Sequence, residues 1–405
     1  MTDPHPNAEP TVPAPRSCPY QPPAVYEKLR AEAPLARVRL MCGDPAWLVT
    51  RYAEARALLA DPRLSSDHTS PHYPEIGRLP GMPRQTPEQI REWVTFSEMD
   101  DPQHSIHRRT VIPAFSVRRV RAMRPGLQQD ADTLVDRMLA GPGPVDLVPA
   151  LAAPFPPMMY SRLFDVPAAD RAEFEEHARR GVADHAGSGE AMMWVQHYLD
   201  RLLQARREHP GEDLPSIAVV NLPRAVGMTH RQLVETVTML VVAGNESMLN
   251  MIALGALTLL ENPAQLAALR ADPAIVPTAV EELLRYLSIA DTAKRWATTD
   301  IQVGDQLIRA GDAVLVSTLS ANRDESVFPD ADRLDVRRTG QHHLAFGYGV
   351  HQCLGHSLTR LALEVVFETL VRRVPDLRLA TPAAELVADG GVGMRRIATL
   401  PVACS

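Results

Sequence analysis

The amino-acid sequence predicts a mainly α-helical fold with minor β-sheets. Three observations carry this. Apolar residues recur at helical spacing through most of the chain between Pro102 and Val374, glycines and prolines punctuate those stretches, and strand-like runs are confined to the region before Thr50 and to residues 301–318. The 405 residues include 36 prolines, well above the usual ~5%, so many segments have forced ends.

Residues 1–23 hold eight prolines and are expected to form an extended, mobile arm ahead of a single domain over 24–405. A short helix begins at Ala24, with Val25, Leu29 and Ala33 on one face. Segments 36–40 and 46–50 read as a hairpin around Gly43, Asp44 and Pro45. Residues 61–98 lack periodicity and form a long irregular loop, a kind of segment that usually carries function. Asp100 or Asp101 caps a helix with Pro102 in its first turn, ending near Pro113. Helices over 117–139, 150–164, 168–182 and 191–208 follow, separated by breakers at 141–144, 187–189 and 210–211. The longest helix runs from a Thr229 cap to Glu261; at ~1.5 Å per residue it crosses a domain of this size. A helix over 276–286, strands at 301–303, 306–308 and 313–318, a helix over 356–374 and weak C-terminal strands complete the chain. No internal repeat is visible.

Composition narrows the function. A hydrophobic share of 45% excludes wholesale disorder, and a net charge of -7 argues against a dedicated nucleic-acid binder. The four cysteines (Cys18, Cys42, Cys353, Cys404) form neither a CxxC metal pair nor a disulfide scaffold. The first 23 residues contain no apolar core of a secretion signal. The most apolar stretch, 237–260, is interrupted by Asn245, Glu246, Ser247 and Asn250, which a soluble core helix tolerates better than a bilayer span. No membrane association, a cytoplasmic location and a monomer are therefore expected.

The loop from Phe346 through Gly347, Gly349, His351 and Cys353 to Gly355 stands immediately before the last helix. A sulfur there meets unpaired N–H groups and the positive end of the helix dipole, which favour thiolate over thiol. The glycines let backbone approach something flat and bulky, and His351 can donate to an anionic group on the same object. Read alone, Cys353 also fits an inert buried thiol. The whole pattern, F-G-x-G-x-H-x-C-x-G, resembles the haem-ligand signature of the cytochrome P450 family. That resemblance implies the family's fold, a helical lobe around a haem with a small β-rich lobe. It makes the Cys353 thiolate the axial metal ligand of haem b (iron protoporphyrin IX), places His351 on a haem propionate and packs Phe346 beside sulfur and haem.

Other segments match in order. Glu282 and Arg285 resemble the family's E-x-x-R, and Arg333 looks like the third member of a structural charge cluster bracing the haem loop. By spacing alone, Glu282 and Arg285 fit an ordinary solvated pair. His104 and Arg108 share a helix face and resemble the family's propionate-binding H-x-x-x-R; Arg295 matches a further propionate arginine. Residues 243–247 resemble the oxygen-activation motif A-G-x-(D/E)-T, with Ala243, Gly244, Glu246 and, in place of threonine, Ser247. Serine keeps the hydroxyl but loses the methyl that restricts its rotamers. On the residues alone, Ser247 also fits a back-bond to the Ala243 carbonyl with Glu246 solvated.

The resemblance implies insertion of one oxygen atom from the co-substrate O2 into a C–H or C=C bond of a bulky apolar small molecule, in natural-product tailoring or xenobiotic oxidation. Details near Asp61, Asn322 and His342 look like soluble actinobacterial members. Substrate would meet the 61–98 loop, the 164–203 helices, Met239, Leu240 and Ala243, Ile289, Ala290 and Thr292, and Val392 and Met394. No flavin or nicotinamide domain is evident, so electrons from NAD(P)H should arrive through ferredoxin reductase and ferredoxin. Arg108, Arg109, Arg118, Arg119, Arg121, Arg360, Arg372 and Arg373 can present the basic face for it. Two alternatives are a nitric oxide reductase of the same family and a non-catalytic haem sensor or binder.

Overall fold

The computed structural model describes residues 9–14, 21–91, 93–182, 187–340, 342–386, 388–389 and 396–404. Six strands, β1 (Thr11–Val12), β2 (Leu35–Leu40), β3 (Pro45–Val49), β4 (Leu64–Ser65), β5 (Thr292–Ala297) and β6 (Ala313–Ser317), form one mixed sheet in the order β1-β2-β3-β6-β5-β4. The expected hairpin is β2 and β3, with Leu35 opposite Val49. β5 had no clear alternation to announce it. It pairs antiparallel with β6, Arg295 opposite Val314, so Ala293, Arg295 and Ala297 share one face while Thr292, Lys294 and Trp296 share the other.

β1 corrects the expectation of a free arm. It pairs parallel with β2, Thr11 opposite Arg39, and Val12 is buried with Tyr26, Val38 and Leu40. One apolar side chain between Pro10 and Pro13 is enough to dock this part of the arm on the sheet edge.

The helices that carry the site are α1 (Gln103–Val111), α2 (Arg124–Ala140), α3 (Phe155–Leu163), α4 (Arg171–Gly181), α5 (Ser188–Glu208), α6 (His230–Glu261), α7 (Val276–Leu287) and α8 (His356–Arg373). The stretch expected as one helix over 117–139 breaks at Met123, because Pro125 lacks the N–H that would continue the ladder and its ring crowds the preceding turn. Residues 150–164 divide likewise into a wide turn over Val148–Ala152 and α3, with Pro154 between them. Helices Tyr52–Leu59, Leu214–Asn221 and Pro263–Ala271 were not expected.

α6 is capped reciprocally. The Gln232 N–H donates to Thr229 Oγ1 at 3.2 Å, and the Thr229 N–H donates to Gln232 Oε1 at 2.9 Å. The helix is long and apolar enough to cross a membrane, but it packs against α3, α4, α5, α7 and α8, and Leu233, Val237, Val241, Ile252 and Leu259 belong to the main core. Its apolarity is that of a central core helix.

A buried charge cluster braces the loop before α8. Arg285 donates to Glu282 through Nε at 2.7 Å and Nη2 at 2.8 Å, and its Nη1 donates to the carbonyls of Asn322 (2.7 Å) and Ala331 (2.9 Å). Asn322 Oδ1 in turn accepts the Leu344 N–H at 2.7 Å, linking cluster to loop. Arg333 is not the third member. Its side chain is 67% exposed and lies 3.9 Å from Asp335. Arg338 takes the place, with Nε 3.2 Å from Glu282 Oε1 and further bonds to the carbonyls of Pro329, Asp330 and Arg333. The chain doubles back after the turn at Asp330, so Arg333 contributes its carbonyl and a side chain five residues later reaches the carboxylate.

Beside this cluster, Glu281 accepts from Arg360 Nε at 2.6 Å and Nη2 at 3.0 Å and stands 3.3 Å from His343 Nε2. Burial alone would raise the Glu281 carboxyl, but bonds and charge from His343 and Arg360 outweigh it and hold the pKa at about 2. Arg360 is thereby fixed over the Phe346 ring, 4.6 Å from its centroid.

Two outcomes are expected. In denaturant unfolding, Arg338→Ala should cost about 2 kcal/mol by removing a charged hydrogen bond from a buried carboxylate that Arg285 still holds, whereas Arg333→Ala should stay within about 0.5 kcal/mol of wild type; equal effects would place the third member elsewhere. Because the folded Glu281 pKa lies below its ordinary 4.5, its stabilisation is present above pH 4.5 and lost as pH falls through about 2. The stability gap between wild type and Glu281→Gln, from unfolding midpoints across that window, should therefore close toward the acid end.

Candidate functional site

The loop ahead of α8 is shaped first by its glycines. Gly347 and Gly349 have φ of +69° and +78°, and a Cβ on Gly349 would stand 2.7 Å from the Leu59 carbonyl oxygen, so a side chain there is strained and crowded. The Cys353 N–H closes the loop by donating to the Phe346 carbonyl at 2.8 Å. No atom of the chain lies within 4 Å of a Cβ placed on Gly347 or Gly355, which leaves bare backbone beside the sulfur.

The N–H groups of Gly355 and His356 donate toward Cys353, and Arg108 and Arg360 add positive charge. For the sulfur by itself, burial pushes the Cys353 thiol up, and the N–H groups and guanidiniums offset that in part. The residue is accessible at its surface yet ringed by protein, as befits a group on the floor of a recess. A metal cation bound to the sulfur would stabilise the thiolate that this surrounding alone does not.

Around the recess, His104 and Arg108 from α1, Arg295 from β5 and His351 from the loop form one electrostatic group. The His104 and His351 rings lie 4.1 Å apart. His104 is 2% exposed, and among the described residues neither of its ring nitrogens has a hydrogen-bond partner; Asp101 Oδ1 comes only to 3.5 Å. Arg108 Nη2 donates to the Gln352 carbonyl at 2.6 Å and Arg295 Nη1 to the Lys294 carbonyl at 2.7 Å, and neither forms an ion pair among the described residues. Burial lowers the pKa of both guanidiniums. Burial, with the charges of Arg295, His104 and Arg108, pushes His351 down to about 3; burial and Arg108 lower His104. Two histidines lowered by burial and by neighbouring cations, and two arginines lowered by burial, are matched by a ligand carrying two carboxylates. With bare backbone beside a recessed sulfur, the residues present fit haem b, its iron on Cys353 and its propionates on this group.

The 243–247 stretch of α6 approaches the sulfur through Tyr160. Ala243 is exposed. A Cβ on Gly244 would overlap the hydroxyl of Tyr160 from α3, so only glycine admits that ring. Burial raises the Tyr160 phenol, and the Cys353 charge raises it further, which places the ring within electrostatic reach of the sulfur. Asn245 donates Nδ2 to the Ala178 carbonyl at 3.2 Å, satisfying one of the last four carbonyls of α4. Ser247 Oγ donates to the Ala243 carbonyl at 2.7 Å, the local back-bond. Glu246 is paired instead of free, with Arg396 Nη2 at 2.6 Å.

Tyr160, Arg338 and Arg396 were not singled out by sequence, and Arg360 was expected only as part of a basic docking face. Tyr160 sits in a proline-rich apolar run and Arg396 in a two-residue strand, where nothing local marks them. Of the substrate-facing residues expected, Leu240 is buried in the main core, with Met239 and Ile289 packed against it, while Ala243 and Ala290 are exposed. Thr292 is a correction: strand alternation puts it on the Lys294 face, opposite Arg295. Val392 and Met394 lie outside the described residues.

Known proteins show the same organisation. Residues 188–374 match the cytochrome P450 family model. The chain is 44% identical to Cytochrome P450-SOY of Streptomyces griseus, over 98% of this chain and 97% of the relative. It is 42% identical to pentalenic acid synthase of Streptomyces avermitilis, over 99% and 100% respectively. The crystal structure of cytochrome P450 MoxA from Nonomuraea recticatena matches with a TM-score of 0.92 at 41% identity, covering 98% of this chain and 99% of that one. Identity of this order over the whole length, together with a cysteine recess and its cationic surround, makes the chain a member of the cytochrome P450 family, in its actinobacterial branch, with haem on a cysteine thiolate.

Proposed function

We propose that this haem-thiolate monooxygenase inserts one atom of O2 into a C–H or C=C bond of a bulky, apolar natural product. The observation that carries the reading is the recessed Cys353 sulfur, faced by helix N–H groups and surrounded by His104, Arg108, Arg295 and His351, with Asp101, 3.5 Å from His104, the one carboxylate in ion-pair range of the four among the described residues. Bound haem supplies the oxygen chemistry. The chain's part is to hold and orient. Cys353 Sγ anchors the metal, the four basic groups grip the propionates, and Phe346 under Arg360 walls the sulfur.

For protons, we assign Ser247 Oγ, which donates to Ala243 and still has acceptor capacity, as the donor of the 243–247 stretch. Glu246, oriented by Arg396, is assigned as the group that takes up protons from solvent. Apolar and small side chains at Leu240, Met239, Ala243, Ile289 and Ala290 suit a large aliphatic substrate, in keeping with a relative named for pentalenic acid synthesis.

Electrons are assigned to NAD(P)H through ferredoxin reductase and ferredoxin. Of the arginines expected to form the docking face, Arg119, Arg360, Arg372 and Arg373 are engaged by carboxylates. Arg109, Arg118 and Arg121 form no ion pair among the described residues and lie near exposed Ile112 and Val117 in sequence. Unpaired cations interleaved with apolar residues fit an acidic protein partner. The Cys42, Cys353 and Cys404 thiols are free, in keeping with a reducing cytoplasm.

Two measurements test this reading. The reduced carbon monoxide difference spectrum of wild type should show the red-shifted Soret band of thiolate ligation, and Cys353→Ala should lose it; a wild type without that band overturns the assignment. Charge reversal at Arg109 or Arg118 should slow reduction by an acidic ferredoxin by roughly tenfold at low salt and flatten its salt dependence. Unchanged reduction kinetics would remove the docking face.

A further inference from the structure

The loop that follows β4 folds over the face of β5 opposite Arg295. Trp296 stacks on His72, with ring centroids 5.5 Å apart, and donates Nε1 to the Asp67 carbonyl at 3.3 Å. Between loop and strand lies a cavity of about 300 Å³ whose walls include His68, Tyr73, Glu75, Arg84, Trp93 and Lys294. None of Cys353, His351, His104, Arg108 or Arg295 lines it.

Its charges are unbalanced in one direction. Glu75 is taken by Arg78 at 2.7 Å and by Arg84 at 3.8 Å. Arg84 is also taken, by Asp44 at 3.2 Å and by the Pro71 and Tyr73 carbonyls at 2.6 and 3.2 Å. Glu98, the acid whose field reaches Lys294, accepts instead from the Thr95 N–H at 2.9 Å and from the Thr95 and Ser97 hydroxyls at 2.7 and 2.6 Å. Among the described residues, Lys294 makes no ion pair or hydrogen bond. Its Nζ stands 5.5 Å from the centroid of the Tyr73 ring.

Three aromatic rings, His68, Tyr73 and Trp93, stand in the wall among proline, isoleucine and small polar residues. The His68 ring lies 3.7 Å from Tyr73 and 5.9 Å from Trp93, centroid to centroid, and neither its nitrogens nor the Tyr73 hydroxyl has a hydrogen-bond partner among the described residues. Burial, then the charges of Lys294 and Arg295, holds His68 at about 3, so at neutral pH it is a neutral donor and acceptor. Burial likewise lowers the Lys294 pKa, a penalty that an anion beside it removes.

We infer that this cavity is a binding site, separate from the haem recess, for a small organic anion: a carboxylate on a flat aromatic or unsaturated ring, the carboxylate on Lys294 and the ring between His68, Tyr73 and Trp93. An aromatic pocket of this size with one unpartnered cation suits such a ligand and disfavours neutral or cationic analogues. The ligand can be a free effector or the acidic arm of a larger substrate that reaches past β5; the chemistry is common to both, and the site does not depend on the reaction at Cys353.

The probe is 2-naphthoate, with 2-naphthalenemethanol as its neutral counterpart, titrated against the holoenzyme by calorimetry while the ferric Soret band is followed. Naphthoate should bind at least tenfold tighter than the alcohol. Lys294→Met should abolish that preference with the thermal midpoint unchanged, Lys294→Arg should retain it, and Trp93→Ala should weaken both probes. Binding without a Soret change assigns a free effector. A Soret change that Lys294→Met abolishes assigns a substrate arm. Equal affinity for the two probes, naphthoate binding indifferent to Lys294→Met, or a Soret change that survives this substitution would overturn the proposal.

Discussion

The structure is organised around an uncompensated electrostatic imbalance. A sulfur is held in a recess where burial opposes its ionisation, and four basic groups are gathered beside it with little to neutralise them. The polypeptide alone gains nothing from either arrangement. Both become favourable together when one ligand brings a metal cation to the sulfur and carboxylates to the basic groups. α1, β5, the cysteine loop and α8 each supply part of the surround, so elements more than two hundred residues apart in sequence must be fixed relative to one another before the ligand binds.

That requirement explains why so much rigid structure lies outside the recess. The cluster of Glu282, Arg285 and Arg338 touches no ligand, yet through Asn322 it sets the backbone at Leu344, two residues before Phe346. Glu281 does similar work from the other side by holding Arg360. Asn245 ties the 243–247 stretch of α6 to the end of α4. Rotation of α6 about its axis is therefore opposed at several points along its length, and Gly244 keeps its register against Tyr160.

Much of this could be read from the sequence, but unevenly. The cysteine loop was legible because its chemistry is local: glycines, histidine, cysteine and the helix start are within ten residues. Glu282 and Arg285 were legible for the same reason, one helical turn apart. Arg333 was misassigned because Arg333 and Arg338 flank one turn, and only docking against α7 decides which guanidinium faces inward. Thr292 was misassigned because β5 went unrecognised, and in a strand a shift of one residue reverses the face. Tyr160 and Arg396 gave no signal, their importance arising wholly from what tertiary structure brings beside them.

The short strand β1 has a consequence for how the molecule behaves among its own kind. A sheet ending in β2 would offer six residues of open hydrogen-bonding edge to another chain. β1 occupies that edge with two residues, and Pro10 and Pro13 on either side cannot donate to a further ladder. The short strand and its flanking prolines thus act as a stopper at the Arg39–Leu40 end of that edge, where a further strand finds no continuous ladder to extend.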